Sequence, residues 1–281
     1  MNEQGNPLRS YFRIPALHLR LPSGGQHWPR GSIDLPPTGT VPVLPMTAVD
    51  EITYRTPDSL FNGSAVISVI QSCCPCIHNA WLAPSQDITA LLMAIRLASY
   101  GSSLQIASVC PSCAHTNDFN LDLQENMGNL KSPNFNDPLQ LGDLLVYFRP
   151  ISYKEQNQFN MRQYEQQRTI AQITESTTLT EDQKRQALTD ALNTVTELTL
   201  EVLCAGISAI RTPTESVTEL QWIQEFVKNT DRKNFDALRA RAVSIREQSE
   251  LPPLQAQCAE CEHQYLQTVL LDASNFFEFA S

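Results

Sequence analysis

Two pairs of cysteines have a spacing that can do chemistry in this chain. The first pair is Cys110 and Cys113 in VCPSCAH, and the second is Cys258 and Cys261 in QCAECEH. Two intervening residues let one tight turn aim both sulfurs at a common point, and two such turns complete a tetrahedral shell of thiolates. Four protein ligands leave no coordination position for a substrate. The pattern therefore predicts one structural Zn²⁺ bound by these four cysteines, and no further cofactor.

Other uses of the same residues stay open. Either pair could cycle a disulfide, although neither precedes a helix in the strand–helix–strand context of redox motifs. The thiols could also be without any ligand. A histidine stands two residues after each pair, and His115 or His263 could replace a cysteine, although such flanking residues are more often not ligands.

A third cluster of cysteines lies in SCCPCIH. Cys73 and Cys76 have the same spacing, with Cys74 and His78 close by. No further cysteine pair is present to complete a second site, since Cys204 stands alone in an apolar helical stretch. Small buried cysteines are the favoured interpretation of this cluster.

Strand-like runs flank both cysteine pairs. SLQIASV (103–109) leads into the first pair, HTNDFNLDL (115–123) leaves it, and HQYLQTVLL follows the second pair. Alternation of polar and apolar residues is typical of half-buried strands. Each pair is thus predicted at the tip of a β-hairpin, and the two hairpins resemble a zinc ribbon. Residues 114–257 separate the pairs, which is far more than an ordinary ribbon contains.

Helical signals fill much of the remaining chain. Thr47 with Asp50 and Ser152 with Glu155 have capping-box spacing, and Thr180 precedes another long apolar-periodic run. TPDSLFNG predicts a short helix, and TELQWIQEFVKN and NFDALRARAVSIREQ predict two longer ones. PSQDITALLMAIRLASYG predicts a helix with one core-facing stripe. That stripe consists of Ile88, Leu91, Leu92, Ile95 and Ala98.

The predicted fold class is α+β, mainly α-helical, with the zinc-ribbon-like pair of β-hairpins and an extended Pro-rich N-terminal arm. Residues 1–46 form the arm, in which ALHLRL indicates one short strand and prolines remove ladder donors. Residues 47–125 and 251–281 are predicted to hold core helices and the hairpins. Residues 126–250 are predicted to be a mainly helical insertion, whose polar sequence indicates solvated helices or a hydrated partner.

Composition and charge exclude several classes of protein. The chain has 281 residues, of which 42% are hydrophobic and 18% charged, and its formal net charge is −10. An acidic chain is not attracted to phosphate backbones or anionic lipid, so nucleic acid is not expected as a primary partner. No apolar run reaches the about 18 residues that indicate a membrane span. The N-terminus lacks the apolar core of a secretory signal, so we expect folding in a reducing cytoplasm, which favours metal binding over disulfides.

The sequence contains no familiar catalytic motif. GxSxG, P-loop, GxGxxG and HExxH patterns are absent, and the five histidines are scattered without a recognisable nucleophile or carboxylate partner. We therefore predict no catalytic residues and a protein that is not an enzyme.

Six short motifs occur in a distinctive order. They are LPSGG (21–25), PMTAVDEI (45–52), RTPDSLFNG (55–63), DITALLMAIRLASYG (87–101), CPSC (110–113) and SNFFEF (274–279). In this order they resemble the baseplate hub protein family of T-even-like contractile-tailed bacteriophages. The match is dense over the first part of the chain, whereas residues 150–250 share only a helical character with the family.

The resemblance implies a small structural protein of the virion tail, made and assembled in the cytoplasm of the bacterial host. Such a protein helps to build the central part of the baseplate through contacts with other phage tail proteins, as part of a larger assembly without enzymatic activity. Three other hypotheses remain. They are a tail assembly chaperone that leaves the finished virion, a zinc-ribbon nucleic-acid-binding protein, which the charge of −10 disfavours, and a thiol oxidoreductase.

Overall fold

Helices and small antiparallel sheets form two compact units in the computed structural model of the protein, which describes residues 8, 11–56 and 62–267. Unit 1 takes the described residues up to Ala80, together with Gln86–Lys131 and those from Leu251 onward, and unit 2 takes Trp81–Ser85 and Ser132–Glu250. The predicted combination of helices with short antiparallel strands is confirmed. Most of TPDSLFNG and the whole of SNFFEF lie outside the described residues.

The N-terminal segment of unit 1 forms a two-stranded sheet. Strand β1 (Leu17–Leu19), predicted from ALHLRL, runs antiparallel to β2 (Val41–Val43), which the sequence analysis missed. Pro42 has no N–H to donate, so β2 suits only the border of a sheet. Leu19 and both valines of β2 are buried, so this Pro-rich segment contributes to the core of unit 1.

Hydrogen bonds fasten the same segment to the helices of unit 1. The backbone N–H of Leu44 donates to the carbonyl of Cys73 at 2.8 Å. The guanidinium of Arg13 binds a carboxylate oxygen of Asp50 at 3.0 Å and donates to the carbonyl of Ser72 at 2.9 Å. The extended arm therefore lies along its own unit.

A buried carboxylate holds the glycine-containing turn after β1. Asp87 accepts hydrogen bonds from the backbone N–H of Ser23 at 3.0 Å, from the Ser23 hydroxyl, and from Trp28 Nε1 at 2.7 Å. Asp87 lies in the first turn of a helix and has no solvent exposure. Burial raises the pKa of Asp87, and these hydrogen bonds partly offset that effect.

Three helices form most of the remaining core of unit 1: α1 (Ala48–Tyr54), α2 (Ser64–Cys73) and α3 (Ser85–Tyr100). The predicted capping box at the start of α1 is confirmed, with Thr47 and Asp50 each bonding the other's backbone N–H. The predicted stripe of α3 is also confirmed, since Ile88, Leu91, Leu92 and Ile95 are buried and Ala98 is half-buried.

Two β-hairpins complete unit 1. Strands β3 (Ser103–Val109) and β4 (Thr116–Asp122) form the first, which the short helix α4 (Leu123–Met127) follows. Strands β9 (Leu254–Gln257) and β10 (Gln264–Gln267) form the second. Both hairpins end in a cysteine turn, as the flanking alternation predicts.

Unit 2 contains a four-stranded antiparallel sheet in the order β5-β6-β7-β8. Its strands are β5 (Leu139–Leu141), β6 (Leu144–Phe148), β7 (Ile207–Arg211) and β8 (Ser216–Val217). Of these four strands, the sequence predicts only β6, from the apolar run DLLVYFRPI (143–151). Helices α7 (Leu220–Asn229) and α8 (Arg232–Ser249), both predicted, contribute to the same core. Its buried residues are Phe135, Leu141, Val146, Phe148, Leu203, Cys204, Ile207, Ile210, Ile223, Val227 and Leu238.

Two long helices connect the strands β6 and β7. They are α5 (Tyr153–Glu175) and α6 (Glu181–Ala205). The predicted capping box at Ser152 is confirmed, and Thr180 caps the start of α6. Arg162 on α5 forms an ion pair with Glu201 on α6. No residue of α5 is buried, so this helix is open to solvent or to a partner along its length.

An ion pair fixes the start of α5. Arg149 binds both carboxylate oxygens of Glu155, at 2.6 and 3.2 Å. The same carboxylate accepts from the Ser152 backbone N–H at 2.9 Å and from its hydroxyl at 2.7 Å. Burial raises the pKa of Glu155, but these bonds outweigh that effect and lower it to about 2.

We predict that Glu155→Gln lowers the free energy of unfolding by about 1–2 kcal/mol at neutral pH, because the charge-assisted hydrogen bonds to Arg149 are lost while Gln can still complete the capping box. The folded pKa lies below the ordinary value, so this stabilisation is fully present above the unfolded pKa and disappears as pH falls toward 2. Urea unfolding of both proteins between pH 7 and 2.5 measures the difference. Exposed Glu165→Gln is the control, and a difference that stays constant with pH would contradict the assignment.

Candidate metal centre

The two cysteine turns have the same backbone geometry. We call residues 110–115 the first cysteine turn and residues 258–263 the second. In each, the N–H of the first cysteine donates to the carbonyl of the histidine, at 2.9 Å in the first turn and 3.0 Å in the second. In each, the residue after the second cysteine has a positive φ, 58° at Ala114 and 57° at Glu262. Both turns therefore present their two sulfurs in the same way.

The four sulfurs of the two turns converge. All lie within 4.8 Å of one another, with Cys110 Sγ 3.7 Å from Cys261 Sγ and Cys113 Sγ 3.6 Å from Cys258 Sγ. A tetrahedral ion with metal–sulfur bonds of about 2.3 Å requires sulfur–sulfur edges of about 3.8 Å. A disulfide requires about 2.0 Å, and all four cysteines are free. The cluster can therefore hold one metal ion.

In both cysteine pairs, the first cysteine is more buried than the second. Cys110 and Cys258, the first cysteines of the turns, are each 1% exposed, whereas Cys113 and Cys261 lie at the surface. The inner side of the centre is therefore shielded from water, and its outer side is exposed to solvent. Four protein sulfurs around one ion fill a tetrahedral shell, which suits a structural role.

The thiols of the cluster do not share negative charge equally. Burial raises the pKa of Cys258, but hydrogen bonds from the Cys261 backbone and the Asn117 side chain help to lower it to about 6. At Cys113 the N–H of His115 lowers the pKa, but neighbouring thiols, foremost Cys261, raise it to about 12. The Cys258 thiol therefore ionises more readily than the Cys113 thiol. A bound cation supplies the charge that lets the remaining sulfurs deprotonate.

Polar side chains connect the two hairpins beside the sulfurs. Ser108 Oγ on β3 lies 3.0 Å from the hydroxyl of Tyr265 on β10 and also bonds Gln267. Asn117 on β4 accepts from the backbone N–H of Ala259 at 2.8 Å. The sequence analysis missed these residues. The available signal was strand alternation, which puts Asn117 on the same buried face as Leu121.

The remaining candidates do not join the cluster. His115 and His263 are exposed, and among the described residues the four cysteines are the one group of three or more metal-ligating side chains that converge. In SCCPCIH, Cys73 and Cys74 have no exposure, and burial is the main cause that raises the pKa of Cys73 to about 11. His78 instead pairs with Asp34 at 2.9 Å.

The fold and the site together define a mixed helix-and-strand protein with a four-cysteine cluster that can hold a metal ion. Within the described ranges, no helix has the length and hydropathy to cross a membrane. A family model described as "T4 bacteriophage base plate protein" matches residues 20–278. The chain belongs to this family, which supports a structural role in the phage tail with other tail proteins as partners. No curated protein and no solved structure matched the chain.

We predict that metal binding protects the cluster from alkylation. Without metal, N-ethylmaleimide should modify exposed Cys261, and exposed Cys113 more slowly because its raised pKa leaves little thiolate. A bound metal ion should slow both reactions because it occupies the sulfur lone pairs. Peptide mapping by mass spectrometry measures each site. Cys73 and Cys74, buried and outside the cluster, should stay unmodified in both samples. Equal labelling of Cys113 and Cys261 with and without metal would contradict a metal site.

Proposed function

We propose that this protein is a non-enzymatic structural subunit of a contractile phage tail baseplate, in its central hub region, with one structural Zn²⁺ held by Cys110, Cys113, Cys258 and Cys261. The family match over residues 20–278 is the observation that carries the baseplate role. The hub location rests on the order of the short motifs.

Zinc is the proposed ion because the donor set consists of thiolates in a tetrahedral arrangement. The sulfur pairs at 3.6 and 3.7 Å are close to the edges of a Zn(Cys)₄ tetrahedron. Together with the matching turns, this geometry supports a zinc-ribbon-like centre. A structural ion suits a reducing compartment, where disulfides do not persist.

The proposed ion would act as a clasp at the base of a long segment. The two cysteine turns precede and follow the part of the chain that contains Ser132–Glu250. Joining the turns closes a loop from Cys113 to Cys258 and limits the conformations of the unfolded chain. We propose on this basis that residues 126–250 are an insertion into the unit that contains the centre.

We predict that protein purified from a reducing extract contains about one zinc per chain. Cys110→Ser should abolish stoichiometric zinc and lower the free energy of unfolding, because the binding energy of a structural ion is also folding energy. Elemental analysis and urea unfolding measure both. Cys204→Ser, at a buried cysteine of unit 2, is the matched control and should retain the metal. Folded wild-type protein without zinc would refute the proposed centre.

An exposed apolar surface on unit 1 supports a role in protein contacts. Arg13 binds Asp50, and apolar side chains flank both members of this pair. The exposed side chains are Tyr11, Phe12, Ile14, Val49 and Ile52, each at least 57% accessible. An apolar group of this kind, kept in place by an ion pair, is typical of a surface that another protein covers.

We predict that Ile14→Ser with Val49→Ser reduces incorporation into baseplates and leaves the fold unchanged, because both side chains are exposed. Complementation of a phage that lacks the protein, followed by quantitative mass spectrometry of purified particles, measures incorporation. Leu192→Ser, at an exposed residue of unit 2, is the control. Wild-type protein required for tail assembly but absent from particles would replace the structural proposal with the chaperone hypothesis.

A further inference from the structure

A single buried amide links the two hairpins at the sulfur cluster. Asn117 on β4 is 5% exposed. Its Oδ1 accepts the Ala259 N–H at 2.8 Å, and its Nδ2 lies 3.6 Å from Cys258 Sγ and 3.2 Å from the carbonyl of His115. The Ala259 N–H can only donate, so the amide oxygen must face it and the amide nitrogen must face the sulfur. One side chain of the first hairpin thus contacts two consecutive residues of the second cysteine turn.

The two hairpins have matching cysteine turns, but they carry different residues at the position of Asn117. Asn117 stands seven positions after Cys110, and Tyr265 stands seven positions after Cys258. These equivalent positions meet, with Asn117 Nδ2 3.5 Å from the Tyr265 hydroxyl. A phenol cannot provide the N–H and carbonyl pair of an amide, so Tyr265 cannot do for the first turn what Asn117 does for the second.

A difference between the two cysteine turns explains why only the second turn needs this amide. The residue after the first cysteine is Pro111 in the first turn and Ala259 in the second. Pro111 has no N–H and needs no acceptor, whereas the Ala259 N–H is satisfied by Asn117. The amide therefore stands on the hairpin that faces the turn with the extra donor.

We propose that Asn117 is a positioning residue of the metal centre, which docks the second cysteine turn on the first hairpin and aims Cys258 Sγ at the ion. This rests on the proposed metal site. The Oδ1 contact fixes the backbone beside Cys258, and the Nδ2 contact orients its sulfur and compensates part of the negative charge of four thiolates. Second-layer hydrogen bonds of this kind hold a ligand in its binding geometry before the ion arrives.

The test compares zinc affinity among full-length variants. Competition with a chromophoric chelator should give a 10–100-fold weaker affinity for Asn117→Ala, roughly the usual cost of losing such a contact. The Co²⁺-substituted variant should also show shifted thiolate-to-metal absorption bands, which a purely structural change elsewhere would not produce. Asn120→Ala is the matched control, since Asn120 lies on the same strand with its side chain exposed.

Ala259→Pro isolates the docking contact, because it removes the N–H and copies the residue of the first turn. The losses in zinc affinity from Asn117→Ala and Ala259→Pro should then be non-additive in the double variant. If Asn117→Ala does not fold, Asn117→Asp serves instead, since it keeps the acceptor for Ala259 and loses the donor to Cys258. It should also bind zinc more weakly than wild type.

Unchanged zinc affinity and unchanged Co²⁺ bands in Asn117→Ala, or in Asn117→Asp where the former does not fold, would overturn the role of Asn117 and leave the metal site intact. Additive effects of Asn117→Ala and Ala259→Pro would overturn the docking role. Wild-type protein that binds neither Zn²⁺ nor Co²⁺ would overturn the metal site itself, and the role of Asn117 with it.

Discussion

The convergence of four sulfurs from two distant hairpins is the constraint on which unit 1 depends. Residues 114–257 separate the two pairs, so their meeting closes a very long loop, and the entropic cost of closure must be offset by interactions at the meeting point. The second hairpin offers little by itself, because β9 and β10 are four residues each. An isolated two-stranded hairpin is at best marginally stable in water. Interactions with the first hairpin, whose strands are seven residues each, therefore help to supply the stability that the second lacks alone.

Hydrogen bonds join the two hairpins beside the sulfurs. Ser108 meets Tyr265, and Asn117 meets Ala259 and Cys258. Buried polar groups of this kind cost free energy unless each finds a partner, so they favour one arrangement of the hairpins over other compact ones. The two cysteine turns share one backbone geometry, which lets their four sulfurs converge. The hairpins differ at Asn117 and Tyr265, and the turns differ at Pro111 and Ala259. These differences let Asn117 of the first hairpin bind the second turn.

The rest of the molecule fits a protein that works through contacts. The Pro-rich N-terminal segment is held to unit 1 by Arg13 and by the buried Asp87, and it presents exposed apolar side chains beside α1. In unit 2 the long helices α5 and α6 are solvated over most of their surface. Membership of the T4 baseplate family gives these surfaces a context, because it supports contacts with other phage tail proteins.

Local sequence patterns by themselves determined the cysteine turns, the capping boxes at Thr47 and Ser152, and the buried stripe of α3, since each depends on residues a few positions apart. Only the tertiary structure decided that the hairpins meet, that Asp87 holds Ser23 and Trp28, and that Asn117 faces Cys258. Strands β5, β7 and β8 also escaped prediction. Strands β5 and β8 pair with their chain neighbours β6 and β7, but with three and two residues they are too short to show alternation. Strand β7 pairs with β6 from beyond the two long helices. Contacts such as β6 with β7 and Asn117 with Cys258 join residues far apart in sequence, and no local pattern of spacing or propensity encodes which distant residue will complete them.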